Sequence, residues 1–255
     1  MNRPRGLRCA IHQPNLFPRL STLAKLFAAD VWIALDDVQF ARRDYQHRAR
    51  LGRRDDPGAQ QWMSLPVHAP SGRRSLISDI RLLERDRSTR RVLRMTRQHH
   101  GRGPHWSAID TSIDRVADRI VHTESLAEVA IESTVSLLEL LRWPGRVVRS
   151  SDFHVSVERS ARLAELTLAV GAAAYVCGTG GAGYLRPDPF RERGVEIVRF
   201  SVPTEGNSVV WAAATRLSSL AALAEAGASA VHQAFADDVD LGRRMAPPSG
   251  PARLM

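Results

Sequence analysis

Lysine is almost missing from this chain of 255 residues: Lys25 is the single lysine among 36 basic residues, and all the others are arginine. Cysteine is scarce too. Cys9 and Cys177 are the only two and lie far apart, which excludes a disulfide-stapled scaffold and fits a pair of reduced thiols. No apolar run reaches the roughly 18 to 20 residues that a bilayer span needs, and the opening MNRPRGLRCAIHQPN has no apolar signal core. The sequence therefore reads as a cytoplasmic protein with no membrane partner. It also holds no internal repeat and no sustained heptad.

What is present is ordinary globular composition, 44% hydrophobic and 25% charged, enough for one large core. The net charge of +9 attracts anions. It has two readings: phosphate contacts of a nucleic-acid binder, or wholesale replacement of lysine by arginine in a high-GC genome. The basic residues are scattered, which favours solvated faces over a continuous interface.

Hydrophobic periodicity predicts a strand at Arg8 to Ile11, a helix through Leu20, Leu23, Ala24 and Phe27 behind Pro18, and a strand at Val31 to Leu35. Strand, loop, helix, strand is the βαβ pattern of a parallel sheet, whose ligands gather past the carboxyl ends of the strands. Arg42 to Arg54 reads as a basic loop, and Trp62 to Val67 as a strand. Helices follow at about Ser88 to His100, through Ile109, Ile113, Val116 and Ile120, and from a Ser125 and Glu128 capping box to Leu141. A second α/β unit comprises a strand at Arg146 to Arg149, a helix closed by Gly171, a strand at Ala174 to Cys177, a helical turn at Pro189 to Arg193 and a strand at Val195 to Phe200. A last helix spans Leu217 to Ala226. The expected fold is thus α/β, a small parallel-containing sheet with helices on its faces and a helical segment in the middle of the chain. It forms one domain over 1–241, with an α/β part at 1–80, a helical part at 81–145, an α/β part at 146–235, and a disordered tail at 242–255.

His12 follows a strand, and Gln13 and Pro14 follow His12, so the ring is held at the sheet edge. A lone histidine there is often structural. Here Asp36, Asp37 and Gln39 are expected to emerge from the adjacent strand, so that Asp37 orients His12 as a general base, with Gln13 and Asp36 contacting substrate. Paired aspartates also hold cations, but Asp-Asp is common in turns, and no metal or cofactor is assigned. Arg48 follows this cluster within a run of arginines, and a guanidinium fork suits phosphate or carboxylate; a solvated loop accounts for it equally well. Gly178 to Gly183 matches G-x-G-x-x-G, but Pro187 and Pro189 leave no room for the helix that a dinucleotide fold requires. A loop lining a site with backbone N–H groups at Gly180, with Tyr184 beside it, is the remaining functional reading. His99, His100 and His105 do not converge from one helix face as metal ligands. Cys177 reads as a small core residue.

Ile11-His12-Gln13-Pro14-Asn15-Leu16-Phe17-Pro18, Ala29-Asp30-Val31, Leu35-Asp36-Asp37-Val38-Gln39-Phe40, Gln46-His47-Arg48 and Trp62 to Val67 together resemble the opening of the WbqC-like family. The resemblance continues through Arg149-Ser150-Ser151-Asp152, Tyr175 to Leu185 and Phe190 to Val198. Members accompany biosynthesis of surface polysaccharides such as O-antigen, or of specialised metabolites. The resemblance implies a transferase acting on a small-molecule acceptor, with His12, Asp37, Gln39 and Arg48 as carried-over positions. The chain departs from the family pattern at His47, commonly asparagine, at Phe17 and Arg19 around Pro18, and after Ser201, where a Tyr-x-Gln element is missing.

The resulting expectation is an acyl or aminoacyl transferase that forms an amide on a small-molecule amine. Its activated acyl donor is a small molecule, a carrier protein or an aminoacyl-tRNA. The rivals are a HIGH-like nucleotidylyl transferase and a non-catalytic module that holds RNA or a carrier protein on its arginines.

Overall fold

The computed structural model describes residues 6–53, 59–178, 183, 185–203 and 209–244. Short apolar segments build the sheet: Cys-Ala-Ile within β1 (Arg8–His12), Val-Trp-Ile-Ala in β2 (Val31–Ala34) and Ala-Tyr-Val-Cys in β8 (Ala174–Cys177). Runs buried on both faces are the mark of a parallel sheet covered by helices. The strands β7 (Arg146–Arg149) and β9 (Glu196–Arg199) are more polar, and they take the two edges. All pairings are parallel and the strand order is β7-β2-β1-β8-β9. The chain therefore steps outward from β1 to β2 and β7, then returns to the other side of β1. That reversal makes β1 and β8 a topological switch point, where the loops diverge and leave a crevice.

Alternation along the strands feeds two cores. Ala10, Trp32, Ala34 and Val176 face a large one, which packs against α1 (Leu20–Phe27), α3 (Trp106–His122), α4 (Leu126–Leu140) and α7 (Leu220–Arg244). Cys9, Ile11, Val31, Ile33, Tyr175 and Cys177 face the other, covered by α5 (Arg159–Ala169) and Phe190 of α6 (Asp188–Glu192). In the middle of the chain α3 packs against α2 (Arg85–His100), α4 and α7. Ser125 caps α4 as its spacing predicts, its hydroxyl accepting from the Glu128 N–H at 3.3 Å. Gly171 adopts φ 74°, the left-handed cap expected after α5. Among the described residues no helix is long and apolar enough to cross a membrane.

Three expectations need correction. The basic run is not a loop throughout, because Arg48–Leu51 forms β3 and pairs antiparallel with β4 (Gln61–Ser64). Only Ala49 and Leu51 point inward, and two small signals between arginines are easily read as loop. The single strand expected at Trp62 to Val67 is divided before Pro66, which has no N–H to donate to a ladder. Val67–His68 (β5) pairs instead with Arg81–Leu82 (β6). The last helix starts at Leu220 and does not end at Ala226. Gly227 makes a non-helical kink at φ 83°, and the helix resumes to Arg244, beyond the expected start of the tail at Gly242. A Cβ at Gly227 would meet the His105 ring at about 2.9 Å, so glycine serves close packing there. Residues 245–255 lie outside the described residues.

The β2 to β7 edge is latched by Asp36, which is fully buried and accepts from Arg149 Nε at 2.7 Å, Ser151 N–H at 3.1 Å and Ser151 Oγ at 3.0 Å. Removing one member of a buried ion pair leaves its partner uncompensated. Asp36→Ala is therefore expected to lower unfolding free energy by about 3 kcal/mol in urea denaturation. A change below about 0.5 kcal/mol would show that the latch does not hold the edge.

Candidate functional site

β1 delivers His12 to the carboxyl edge of the sheet, on the same face as Ala10 and therefore toward α1. There Lys25 Nζ lies 3.4 Å from His12 Nδ1 and 3.2 Å from the Ile11 carbonyl oxygen. The Asn15 side-chain amide lies 3.2 Å from His12 Nε2. The loop that carries Asn15 is clamped to α4. Phe17 N–H donates to Ser133 Oγ at 2.9 Å, and the Asn15 carbonyl accepts from Ser133 and Thr134 hydroxyls at 3.1 and 3.2 Å. Phe17 is held at φ 42°, uncommon for a non-glycine residue, and it is buried.

Burial governs the titration of both groups. It lowers His12 well below the ordinary histidine value of 6.5, helped by the nearby charges of Lys25 and Arg19, so the ring is neutral at pH 7. Burial also lowers Lys25 from 10.5 to about 8, with Cys177 and Cys9 opposing weakly. The Asn15 amide presents its nitrogen to Nε2. With the Lys25 ammonium donating to Nδ1, Nε2 carries the ring hydrogen, and the Asn15 amide receives it only with its nitrogen and oxygen exchanged by a half-turn. A neutral Lys25 amine has two hydrogens, and Ile11 O and His12 Nδ1 accept both. Its lone pair then occupies the remaining tetrahedral position.

The pair lines a cavity of about 590 Å³ at the switch point, a volume suited to a small organic ligand. Helix α1 and its N-cap contribute Arg19, Ser21, Thr22 and Lys25, and the first turn of α5 contributes Arg159, Ser160, Arg162 and Leu163. Ile11, Leu35, Val38, Tyr175, Phe200 and Val202 give it an apolar wall. No aspartate or glutamate is among the described lining residues.

The structure brings His12, Gln13 and Gln39 to this cavity. Gln13 Oε1 accepts from Gln46 Nε2 at 2.7 Å, and Gln39, at the exposed mouth, donates to the Arg73 carbonyl at 2.5 Å. The expected pairing of His12 with Asp37 is not formed. Asp37 is bound to Arg162 and accepts from Ser150 Oγ, and it lines a separate open groove with His154 and Glu165. Asp36 is buried in the latch and does not line the cavity. Arg48 is also outside it: its guanidinium donates to the Asp44 and Arg43 carbonyls and stacks 4.2 Å from the Trp62 ring centroid. Gly180 and Tyr184 lie outside the described residues.

The comparisons agree with the resemblance seen in the sequence motifs. A family model described as the WbqC-like protein family matches residues 13–206. The chain belongs to the WbqC-like protein family. It is similar to "Uncharacterized protein Rv1507c" of Mycobacterium tuberculosis (strain ATCC 25618 / H37Rv), with 23% identity over 205 residues, covering 76% of this chain and 81% of that protein. No solved structure matches.

In this WbqC-like protein the sequence reading missed Lys25, Asn15 and the α5 arginines. One signal for Lys25 was available: a lysine in a chain that otherwise uses arginine, at i+3 from Thr22 on a helix directly after the His12 loop. Nothing local marked Arg159 or Arg162, which reach the cavity only because β8 returns beside β1.

A neutral, enclosed His12 makes a measurable expectation. In NMR of imidazole-labelled protein its ring should show no protonation step of its own near about 6.5, only the smaller shift that the titration of Lys25 at about 8 imposes on it. A His12 midpoint near about 6.5 would show that burial does not set its state.

Proposed function

We propose that the protein transfers an activated acyl or aminoacyl group to the amine of a small molecule, forming an amide in polysaccharide or specialised-metabolite biosynthesis. The observation that carries this reading is the Lys25 amine held by Ile11 O and His12 Nδ1 at the wall of the cavity. An amide-forming step must take a proton from the attacking amine, and a base is most effective when its pKa lies near working pH. Lys25, at about 8, fits that requirement better than His12, whose pKa is far lower.

The roles expected from sequence therefore shift. Lys25 is the proton acceptor, and His12 is the positioning residue that accepts a hydrogen from it in the Nε2–H tautomer. Asn15 supports that tautomer when its amide oxygen is turned to Nε2. When Lys25 takes the proton, the ammonium keeps both acceptors, and the third N–H replaces the lone pair toward substrate. No covalent enzyme intermediate is needed, since Cys9 and Cys177 are buried thiols raised above their ordinary pKa, Cys9 to about 11.

One observation favours a second reading, nucleotidylyl transfer. The strand order β7-β2-β1-β8-β9 matches in pattern the first five strands of a doubly wound nucleotide-binding sheet, with His12 at the end of its central strand. Against it, the Ser21 N–H at the start of α1 already donates to the Ala214 carbonyl at 3.0 Å, which closes a position where phosphate would meet that helix.

The test offers acyl-adenylates and acyl-thioesters with a panel of amino sugars and follows amide formation by mass spectrometry. Amide product that needs Lys25 supports the first reading, whereas pyrophosphate release from a nucleoside triphosphate without amide selects the second. The rate should rise with pH through about 8, because the neutral amine is the active form. Lys25→Met should reduce turnover by about 10² or more. It should also stabilise the fold at neutral pH by roughly 1 to 2 kcal/mol, since an enclosed ammonium is removed. That gain exists below about 8 and fades as pH rises toward the ordinary 10.5. A variant that loses both stability and activity would mark Lys25 as structural.

A further inference from the structure

The wall of the cavity carries four arginine and lysine side chains, Arg19, Lys25, Arg159 and Arg162, and no carboxylate among its described residues. Asp37 lies against Arg162 from outside the cavity, in the neighbouring groove. Such a gathering of positive charge in a concave site attracts an anion. The arginines stand on opposite sides of the crevice, Arg19 at the N-cap of α1 and the other two in the first turn of α5.

Arg19 and Arg162 also have hydrogen-bonding capacity to spare. A guanidinium has five donors. Arg19 donates through Nη1 to the Thr215 carbonyl at 3.1 Å and stacks over the Tyr45 ring, while its Nε–H has no acceptor among the described residues. The Nε–H of Arg162 likewise has none. A covered donor without acceptor has lost its water and gained nothing in return, a cost that a ligand accepting from it relieves. Ser21, Thr22 and Ser160 hydroxyls line the same crevice. These donors suit a phosphoryl group, whose two non-bridging oxygens in a mixed anhydride become the three terminal oxygens of a phosphate monoester once the acyl carbon is released. The donors thus meet the leaving group better than the bound donor.

We infer that the activated donor is an acyl phosphate ester, a mixed acyl-phosphoric anhydride, whose phosphate lies between Arg19 and Arg162 and whose acyl carbon faces Lys25. This inference rests on the acyl-transfer reading and specifies its leaving group. The acceptor nitrogen forms a bond to the acyl carbon, and the bond from that carbon to the bridging phosphate oxygen breaks. The electron pair departs with the oxygen, the amine proton passes to Lys25, and the arginines meet the charge gathered on the leaving phosphate. The apolar wall of Leu35, Val38, Phe200 and Val202 leaves room for the rest of the donor.

Calorimetric titration of the full-length protein with AMP and with inorganic phosphate tests this. Saturable AMP binding, displaced by phosphate and weakened about tenfold or more in both Arg19→Gln and Arg162→Gln, is the expected result. Arg48→Gln, outside the cavity, should bind as the parent does. If Arg162→Gln unfolds on losing its contact with Asp37, Arg19→Gln decides. Absence of saturable binding of either anion, or binding indifferent to Arg19→Gln, would overturn the inference. So would transfer from an acyl thioester as fast as from the corresponding acyl adenylate, an outcome that leaves the acyl-transfer reading standing.

Discussion

A lysine buried beside a histidine, with no carboxylate among the described residues to balance it, is an arrangement that a fold must be built to hold. Among the described residues Lys25 has two polar partners, Ile11 O and His12 Nδ1, and both come from the last residues of β1. Everything around this contact fixes it. Alternation on β1 turns His12 toward α1, the clamp of α4 on the following loop holds Asn15 against the ring, and Trp32 on β2 donates to the His12 carbonyl at 3.2 Å. The pair is thus set by strand register and loop geometry, and burial tunes its titration.

The same constraint accounts for the charge around it. With the Lys25 ammonium disfavoured in the apo crevice, the arginines on α1 and α5 add further positive charge beside it, and that of Arg19 depresses His12. They are consistent with a ligand of opposite charge, and the acids that the sequence offered are engaged elsewhere. Asp36 joins β2 to the end of β7, and Asp37 restrains Arg162. Their contribution to a site is architectural: they fix the α5 side of the crevice while α1 fixes the other.

Much of this fold was legible because apolar period and turn residues agree at β1, α1, β2, the three middle helices and β8. The parallel sheet followed from that order of elements. What escaped has physical reasons. β3 hides among arginines because only two of its residues are buried, and Gly227 reads as a helix end although close packing on His105 makes it a kink. At the site, His12, Gln13 and Gln39 were visible from their position past strand ends. Asp37 was misplaced as a partner of His12, since sequence order gives the strand end but not which way each side chain turns. The α5 arginines depend on the return of the chain to β8, a tertiary event without a local signal.

Because Lys25 is the only lysine, labelling lysine at its ε carbon gives one resonance, and its titration reads the central group without interference. The account predicts a midpoint of about 8 in the free protein. A midpoint at the ordinary value of 10.5 would contradict it, because Lys25 would then be a protonated, solvent-like side chain unable to accept a proton near neutral pH.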